Sequence, residues 1–311
     1  MSKILITGGG GFQGSHLAEF LAEEGHEVSV LNINSEISRK NLSAITDKIR
    51  PIWGSVTDKE TVEKSVGGQD VVFHMAAHVN VDESLEDPSI FFHVNVLGTH
   101  NVLEAVRKHG ARLIFVSSRE IYGDGRNLKE GEKFSEFSEI RPASPYAASK
   151  AAADRMCYSY FAAFGMDVAI VRPFNVFGER QKGGKFGALI PILTERALRG
   201  ENLEIFGDGS IARDYTYVSD IIQAYNLVLL NSEPLKGRAI NFASGVDTKV
   251  KDIAEYIAKK FGVKVVHTNP RPGEVSRSPA DISFAKSLGY SPKISIWEGI
   301  DRYIEWAKNN V

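Results

Sequence analysis

"KILITGGGGFQGSHLAEFLAEEG", residues 3–25, decides the fold. "KILIT" reads as a short buried strand, and "SHLAEFLAEEG" reads as an amphipathic helix closed by Gly25. Between them, "TGGGGFQG" sets Gly8, Gly11 and Gly14 three residues apart. Glycine permits a tight turn and lets the backbone approach a pyrophosphate closely. The helix that follows turns free N–H groups and its positive dipole end toward phosphates. A glycine triplet alone is a weak signal. Its place between a strand and a helix is what predicts a dinucleotide site here.

Working outward, strand patterns alternate with helical ones. "EVSVLN", "IRPIWG", "DVVFHMAA", "RLIFVSS" and "DVAIVRP" read as strands, with helical segments near 58–66, 88–109 and 145–164. Apolar strands separated by helices imply a parallel sheet covered on both faces. The expected fold class is α/β, a doubly wound parallel sheet of the dinucleotide-binding kind. After about Arg172 the rhythm loosens into "ERQKGGKFG", a helix near 187–199, "LEIFG" and "DGS". A helix near 218–231 and the strand "AINFA" are expected to return to the sheet. The division is therefore a dinucleotide-binding domain over 1–172, regained near 214–243, and a smaller C-terminal α/β substrate lobe over 173–311.

The totals limit the function classes. The chain has 311 residues, 43% hydrophobic and 24% charged, the balance of a globular protein with a substantial core. Net charge is -2 with no basic block, which argues against nucleic acid or an anionic membrane as main partner. No apolar run is long enough to span a bilayer, and the N-terminal residues lack the pattern of a secretory leader. Cys157 is the single cysteine, so no internal disulfide is expected, and a reducing cytoplasm is the natural setting. No metal is expected.

At the end of the second strand, where a carboxylate usually meets the adenosine ribose, stands Asn32, followed by Ser35, Ser38, Arg39 and Lys40. Asparagine still hydrogen-bonds a hydroxyl and removes the charge that would repel a 2'-phosphate. NAD is the expected cofactor, with NADP the alternative. Further along, "SPYAASKAAAD" places Tyr146 and Lys150 at i,i+4, on one helix face. An ammonium near a phenol favours the phenolate. A tyrosine so tuned takes a proton from a sugar hydroxyl as hydride leaves the same carbon. Ser118, at the end of the preceding strand, is placed to share that hydrogen bond.

"TGGGGFQG", "VFHMAAHVNVDES", "NVLGTHNVLEA", "SSREIYG", "PYAASK" and "RPFNVFGERQ", in this order, resemble the extended short-chain dehydrogenase/reductases. More narrowly, the chain resembles the NAD-dependent nucleotide-sugar epimerase/dehydratase family. The likeness continues through "IFGDGSIARDYTYVSD", "NFASG" and "RPGEVSRSPAD", nearly the whole chain. It implies catalytic roles for Ser118, Tyr146 and Lys150. It implies cofactor contacts from Gly8, Gly11, Phe12, Gln13, Gly14, Asn32, Ser35, Arg39, Ser55, Val56, Ala76 and Ala77, with Lys150 also holding the nicotinamide ribose. It places Asn80, Arg119 and Asn175 toward the substrate, Arg213 and Arg271 on its pyrophosphate, and Glu274 on its nucleotide ribose. A homodimer paired through the helices near 95–109 and 145–164 is implied as well. Gln13, Asn32, Ser55 and Arg119 depart from the family's usual residues.

The reaction turns on Glu120. Family reactions begin alike: the tyrosine takes the C4 hydroxyl proton, the cofactor takes hydride, and a 4-keto sugar forms. A 4-epimerase turns this ketone over and returns hydride to the other face. A 4,6-dehydratase removes the C5 proton, and the resemblance places its base on Glu120. Arg119, where many dehydratases carry an aspartate or small hydroxyl residue, does not readily donate a proton to a leaving hydroxyl. It suits an acidic or polar C6 group equally well. The expectation is a 4-epimerase acting on a UDP-sugar, with 4,6-dehydration as the alternative and decarboxylation or 4-keto reduction behind it. A non-catalytic dinucleotide sensor would not need Ser118, Tyr146 and Lys150 together.

Overall fold

The computed structural model describes residues 1–125, 128–129, 131–184, 186–269 and 279–311. Its central feature is a seven-stranded parallel sheet. The strands are β1 (Lys3–Thr7), β2 (Glu27–Asn32), β3 (Ile49–Trp53), β4 (Val71–His74), β5 (Arg112–Val116), β6 (Val168–Pro173) and β7 (Ala239–Phe242). They run in the order β7-β6-β5-β4-β1-β2-β3. Ile4, Leu5 and Ile6 are fully buried, as are Val72, Phe73, Leu113 and Ile114. Helices on both faces leave no solvent side, so these strands read as continuous apolar runs. Ile4 pairs with Val28 on one side and Val71 on the other. From β1 the chain builds β2 and β3 outward, then crosses back to start the other half at β4. The ends of β1 and β4 therefore meet at the switch point, where such sheets take their ligands.

Two helices matter for the chemistry. Helix α1 (Phe12–Glu23) begins directly after the glycines. Helix α2 (Pro145–Phe164) starts where Ser144 accepts a hydrogen bond from the Ala147 N–H at 3.1 Å, with Pro145 in the first turn. Such a start satisfies an otherwise orphaned N–H and presets the helical φ. It stops at Gly165, whose φ of 66° few other residues adopt.

Two compact groups of residues emerge. One comprises 1–121, 140–173 and 222–240, and the other 122–139, 174–221 and 241–311. The segment 122–139, assigned from sequence to the first domain, groups with the second. Tyr122 stacks on Phe134 at 5.1 Å and donates to Asn241 Oδ1 at 2.7 Å, while the Phe134 N–H reaches the Pro279 carbonyl at 2.9 Å. The segment that returns to the first group is 222–240, narrower than the 214–243 read from the sequence. The second group carries helices Leu189–Leu198, Val250–Phe261 and Ile296–Asn310 and three two-stranded pairs. Among the described residues, no helix is long and apolar enough to cross a membrane.

Candidate active site

The glycine loop is shaped by contacts that exclude side chains. Gly8 has φ +73°, and a Cβ there would lie 2.6 Å from the Ala76 nitrogen. A Cβ on Gly14 would lie 2.4 Å from the Gly8 carbonyl oxygen. At Gly11 the nearest atom would be 3.2 Å away, and its φ of -78° suits any residue. Two glycines thus hold the loop's shape, and the third keeps a space open above it. Among the described residues, no side chain caps helix α1, and no acidic residue lies in its first turn. Free N–H groups behind a cleared cradle fit the pyrophosphate of a dinucleotide. Phe12 stands in that first turn, its ring edge-on to His16 at 6.0 Å. Gln13 accepts the hydroxyl of Tyr225, a fully buried residue, which gives the unusual polar residue a partner.

Asn32 braces this loop. Its Oδ1 accepts the Gly10 N–H at 3.2 Å, and its Nδ2 donates to Ser38 Oγ at 2.6 Å and the Ile33 carbonyl at 2.9 Å. Both amide hydrogens are committed, so only Oδ1 keeps capacity for a ribose hydroxyl. Ser35 caps the helix Glu36–Leu42 by accepting from the Ser38 N–H, and Arg39 is exposed on that helix. Ser55 pairs with Thr57 Oγ1 at 2.8 Å, and buried Val56 gives its carbonyl to Asn101 at 3.0 Å. Ala76 and Ala77 follow β4 at the switch point, and the Ala76 N–H reaches Thr7 Oγ1 at 3.2 Å. Asn80 takes φ 143°, a strained value, and accepts the Glu83 N–H at 2.8 Å.

Ser118 follows the end of β5, Tyr146 and Lys150 stand in the first two turns of α2, and the Ser118 hydroxyl hydrogen-bonds the Tyr146 phenol. The electrostatics differ from the simple expectation. Burial pushes the Tyr146 phenol up to about 12; the Ser118 hydroxyl opposes this, and the Glu120 charge adds to it. The Lys150 ammonium is turned to the Val116 carbonyl, 2.7 Å away, and sits 4.5 Å from the centre of the Phe115 ring. Burial brings Lys150 down to about 8. Beside them, Arg119 is only 3% exposed. Its Nε and Nη2 both donate to Glu120 Oε1, at 2.9 and 2.5 Å. Arg119 thus lies behind Glu120, whose side chain keeps 27% exposure.

In the second group, Asn175 takes φ 25° and donates from Nδ2 to the Asp214 carbonyl at 2.9 Å. Arg213, next to it on the strand Ala212–Asp214, donates to the Ala212 carbonyl at 3.0 Å. Burial pushes the Asp214 carboxyl up to about 7, against hydrogen bonds from Ser244 and Gly245. Arg271 and Glu274 lie outside the described residues.

The sequence reading passed over two buried polar clusters. Asp154, fully buried one turn beyond Lys150, takes a two-pronged ion pair from Arg172 with both bonds at 2.9 Å. His74, at the end of β4, joins Thr7 to Thr99. The available signals were an aspartate four residues after the lysine and the polar residues in "HMAAH" and "NVLGT".

Solved structures built this way are extended short-chain dehydrogenase/reductases, and the fold and the site put the chain in that class. The model of the NAD dependent epimerase/dehydratase family matches residues 4–243, and the chain belongs to that family. A UDP-glucose 4-epimerase of Mycolicibacterium smegmatis is 32% identical over 99% of both chains. A dTDP-glucose 4,6-dehydratase of Streptomyces niveus is also 32% identical, over 99% of this chain and 93% of its own. The structure of the Thermus thermophilus UDP-glucose 4-epimerase in complex with NAD is 34% identical over 99% of both chains, with a TM-score of 0.89. The chain is therefore an enzyme of the NAD-dependent nucleotide-sugar epimerase/dehydratase family.

Proposed function

We propose that the chain is a 4-epimerase of a UDP-sugar, working through a 4-keto intermediate with NAD as cofactor. Bound NAD supplies the hydride acceptor and, once reduced, the donor. Tyr146 takes the proton of the C4 hydroxyl as the C4–H bond breaks, and Ser118 holds the same oxygen. Burial and the Glu120 charge raise the phenol to about 12 although the Ser118 hydroxyl and the Arg119 charge pull it down, so further positive charge is needed to favour the phenolate. Lys150, one turn along the same helix and brought down to about 8 by burial, is the side chain we assign to supply it once the cofactor and sugar are bound. After the ketone turns over, hydride returns to the opposite face and Tyr146 gives its proton back.

The observation that favours epimerisation is the Arg119–Glu120 pair. A buried guanidinium stands where elimination would call for an acid, and it engages one Glu120 oxygen twice. The 4,6-dehydratase reading rests on the exposure that Glu120 retains and on the Streptomyces niveus relative. UDP and NAD are favoured by the Mycolicibacterium smegmatis and Thermus thermophilus epimerases. The choice of NAD over NADP receives no help from Asn32, which is occupied in the loop. Mass spectrometry of products from UDP-, dTDP- and GDP-sugars tests the proposal. An isobaric product from a UDP-sugar is expected, and a product lighter by one water would contradict it.

We also infer a homodimer, joined through α2 and the helix Gly98–His109. On or beside them, Leu97, Tyr158 and Phe164 are 40%, 46% and 56% exposed, a large apolar share for helix surface. The buried free thiol of Cys157 suits a reducing cytoplasm.

A further inference from the structure

His74 is 1% exposed and ends β4, paired in register with Thr7 at the end of β1. Its Nδ1 lies 2.7 Å from Thr7 Oγ1 and its Nε2 lies 2.9 Å from Thr99 Oγ1. The neighbours fix which nitrogen carries the hydrogen. Thr99 spends its own hydroxyl hydrogen on the Asn95 carbonyl at 2.6 Å, so it can only accept from Nε2–H. Nδ1 is then an acceptor, and the Thr7 hydroxyl donates to it. Thr7 Oγ1 in turn accepts the Ala76 N–H at 3.2 Å. Every donor in this stretch has one direction.

The chain continues beyond Thr99. Asn95, 1% exposed, accepts the His78 N–H at 2.7 Å and donates to Ser149 Oγ at 2.9 Å. Ser149 donates to the Tyr146 carbonyl at 2.7 Å. One end of the line is thus the Gly8–Ala76 contact that shapes the nucleotide loop, and the other is the helical turn between Tyr146 and Lys150. The Phe115 ring lies against both the imidazole, at 5.6 Å between ring centres, and the Lys150 ammonium, at 4.5 Å. A second cation at His74 would be repelled, and burial and the Lys150 charge together push its pKa down to about 3. A residue needed only for packing would not carry this desolvation cost, since an apolar ring of similar size fills the space without it.

We propose that His74 is a positioning residue that couples the dinucleotide loop to the catalytic helix. Through it, the Thr7–Ala76 floor and the Thr99–Asn95–Ser149 brace of α2 behave as one hydrogen-bonded unit. The inference rests on the family's cofactor and not on the 4-epimerase reading, so either can fail without the other.

The test is NAD affinity by titration calorimetry on the wild type, Thr7→Val, Thr99→Val, the double variant and His74→Phe, with thermal midpoints recorded beside it. Each valine removes one hydroxyl and keeps the branched shape. Thr99→Val lies at the far side of the imidazole from the loop, yet it is expected to weaken NAD about tenfold, the scale of one lost buried hydrogen bond. In the double variant the two losses should not add, and in a His74→Phe background Thr99→Val should have no further effect. If His74→Phe does not fold, the threonine cycle decides alone. A Thr99→Val protein whose NAD affinity stays within about twofold of wild type would overturn the proposal. So would losses that simply add, because a merely structural hydroxyl lowers the thermal midpoint without coupling to the other end.

Discussion

Replacing Gly14 by alanine should damage the protein before any ligand is present, whereas replacing Gly11 should do so less. The Gly14 Cβ would sit 2.4 Å from the Gly8 carbonyl oxygen and 2.7 Å from the Gly9 Cα, both main-chain atoms with no rotamer to yield. A carbon normally stands off by about 3.5 Å, so the loop would have to move by roughly 1 Å. Overpacking of this kind costs about 1–3 kcal/mol. Gly8→Ala meets the Ala76 nitrogen at 2.6 Å and adds a left-handed backbone, worth a further 1–2 kcal/mol or so. At Gly11 the nearest atom, the Gly8 carbonyl oxygen, is 3.2 Å away, a few tenths of an ångström tight, and the backbone is ordinary, so the stability cost should stay under about 1 kcal/mol, below that at Gly14. Its added methyl would instead occupy the space over the N-terminus of α1, where the pyrophosphate must lie close to the backbone. Urea denaturation of the cofactor-free variants, followed by NAD titration, separates the cases. Gly8→Ala and Gly14→Ala should lose stability and affinity together, and Gly11→Ala mainly affinity. A Gly14→Ala protein as stable as the wild type would refute the close approach.

Tyr146→Phe should reduce turnover by about two to four orders of magnitude while nucleotide binding survives, and the wild type should accumulate no net NADH. Near-normal turnover in the variant would remove Tyr146 from its role. The pH dependence of stability should carry the mark of His74. Its folded pKa of about 3 lies below the 6.5 of a free histidine, so below pH 6.5 the unfolded chain takes the proton first. Stability is full above pH 6.5 and falls with pH until about 3; at pH 5 the loss is about 2 kcal/mol. His74→Phe should lack this part of the slope in urea titrations between pH 7 and 5, and an unchanged slope would argue against a buried neutral imidazole. Light scattering at micromolar concentration should give twice the chain mass; a monomeric mass would contradict the homodimer.

The parts of the site visible in the sequence are those whose partners lie close in the chain. The strand–glycine–helix unit and the Tyr146–Lys150 spacing are local, and a reader of the sequence finds them directly. The departures are explained only across long separations. Gln13 looks misplaced until Tyr225 arrives from the returning segment with a buried hydroxyl to satisfy. Asn32 reads as a ribose contact, but Gly10 and Ser38 converge on it in the fold. Arg119 reads as a group facing the substrate, and its burial behind Glu120 has no signature in "SSREIYG". His74 sits in a buried strand, where an isolated polar residue looks like noise. Thr7 and Thr99 give it meaning only once β1, β4 and the helix Gly98–His109 are packed together. The grouping of 122–139 with the second set of residues is likewise invisible locally: Asn241 and Pro279, far along the chain, supply its partners.

The reaction itself is decided most directly at C5 of the sugar. A 4-epimerase removes hydride from C4 and never touches the C5 hydrogen, whereas elimination toward C6 must strip C5 and reprotonate it from solvent. Turnover of a UDP-sugar substrate in deuterated water, with the product examined by proton NMR, separates the two. With Glu120 held by Arg119 rather than acting as a base, C5 should remain unlabelled, and Glu120→Gln should lose only modest activity. Deuterium at C5, together with a Glu120→Gln protein that reduces its cofactor but loses no water, would contradict this and make Glu120 the base of a 4,6-dehydratase.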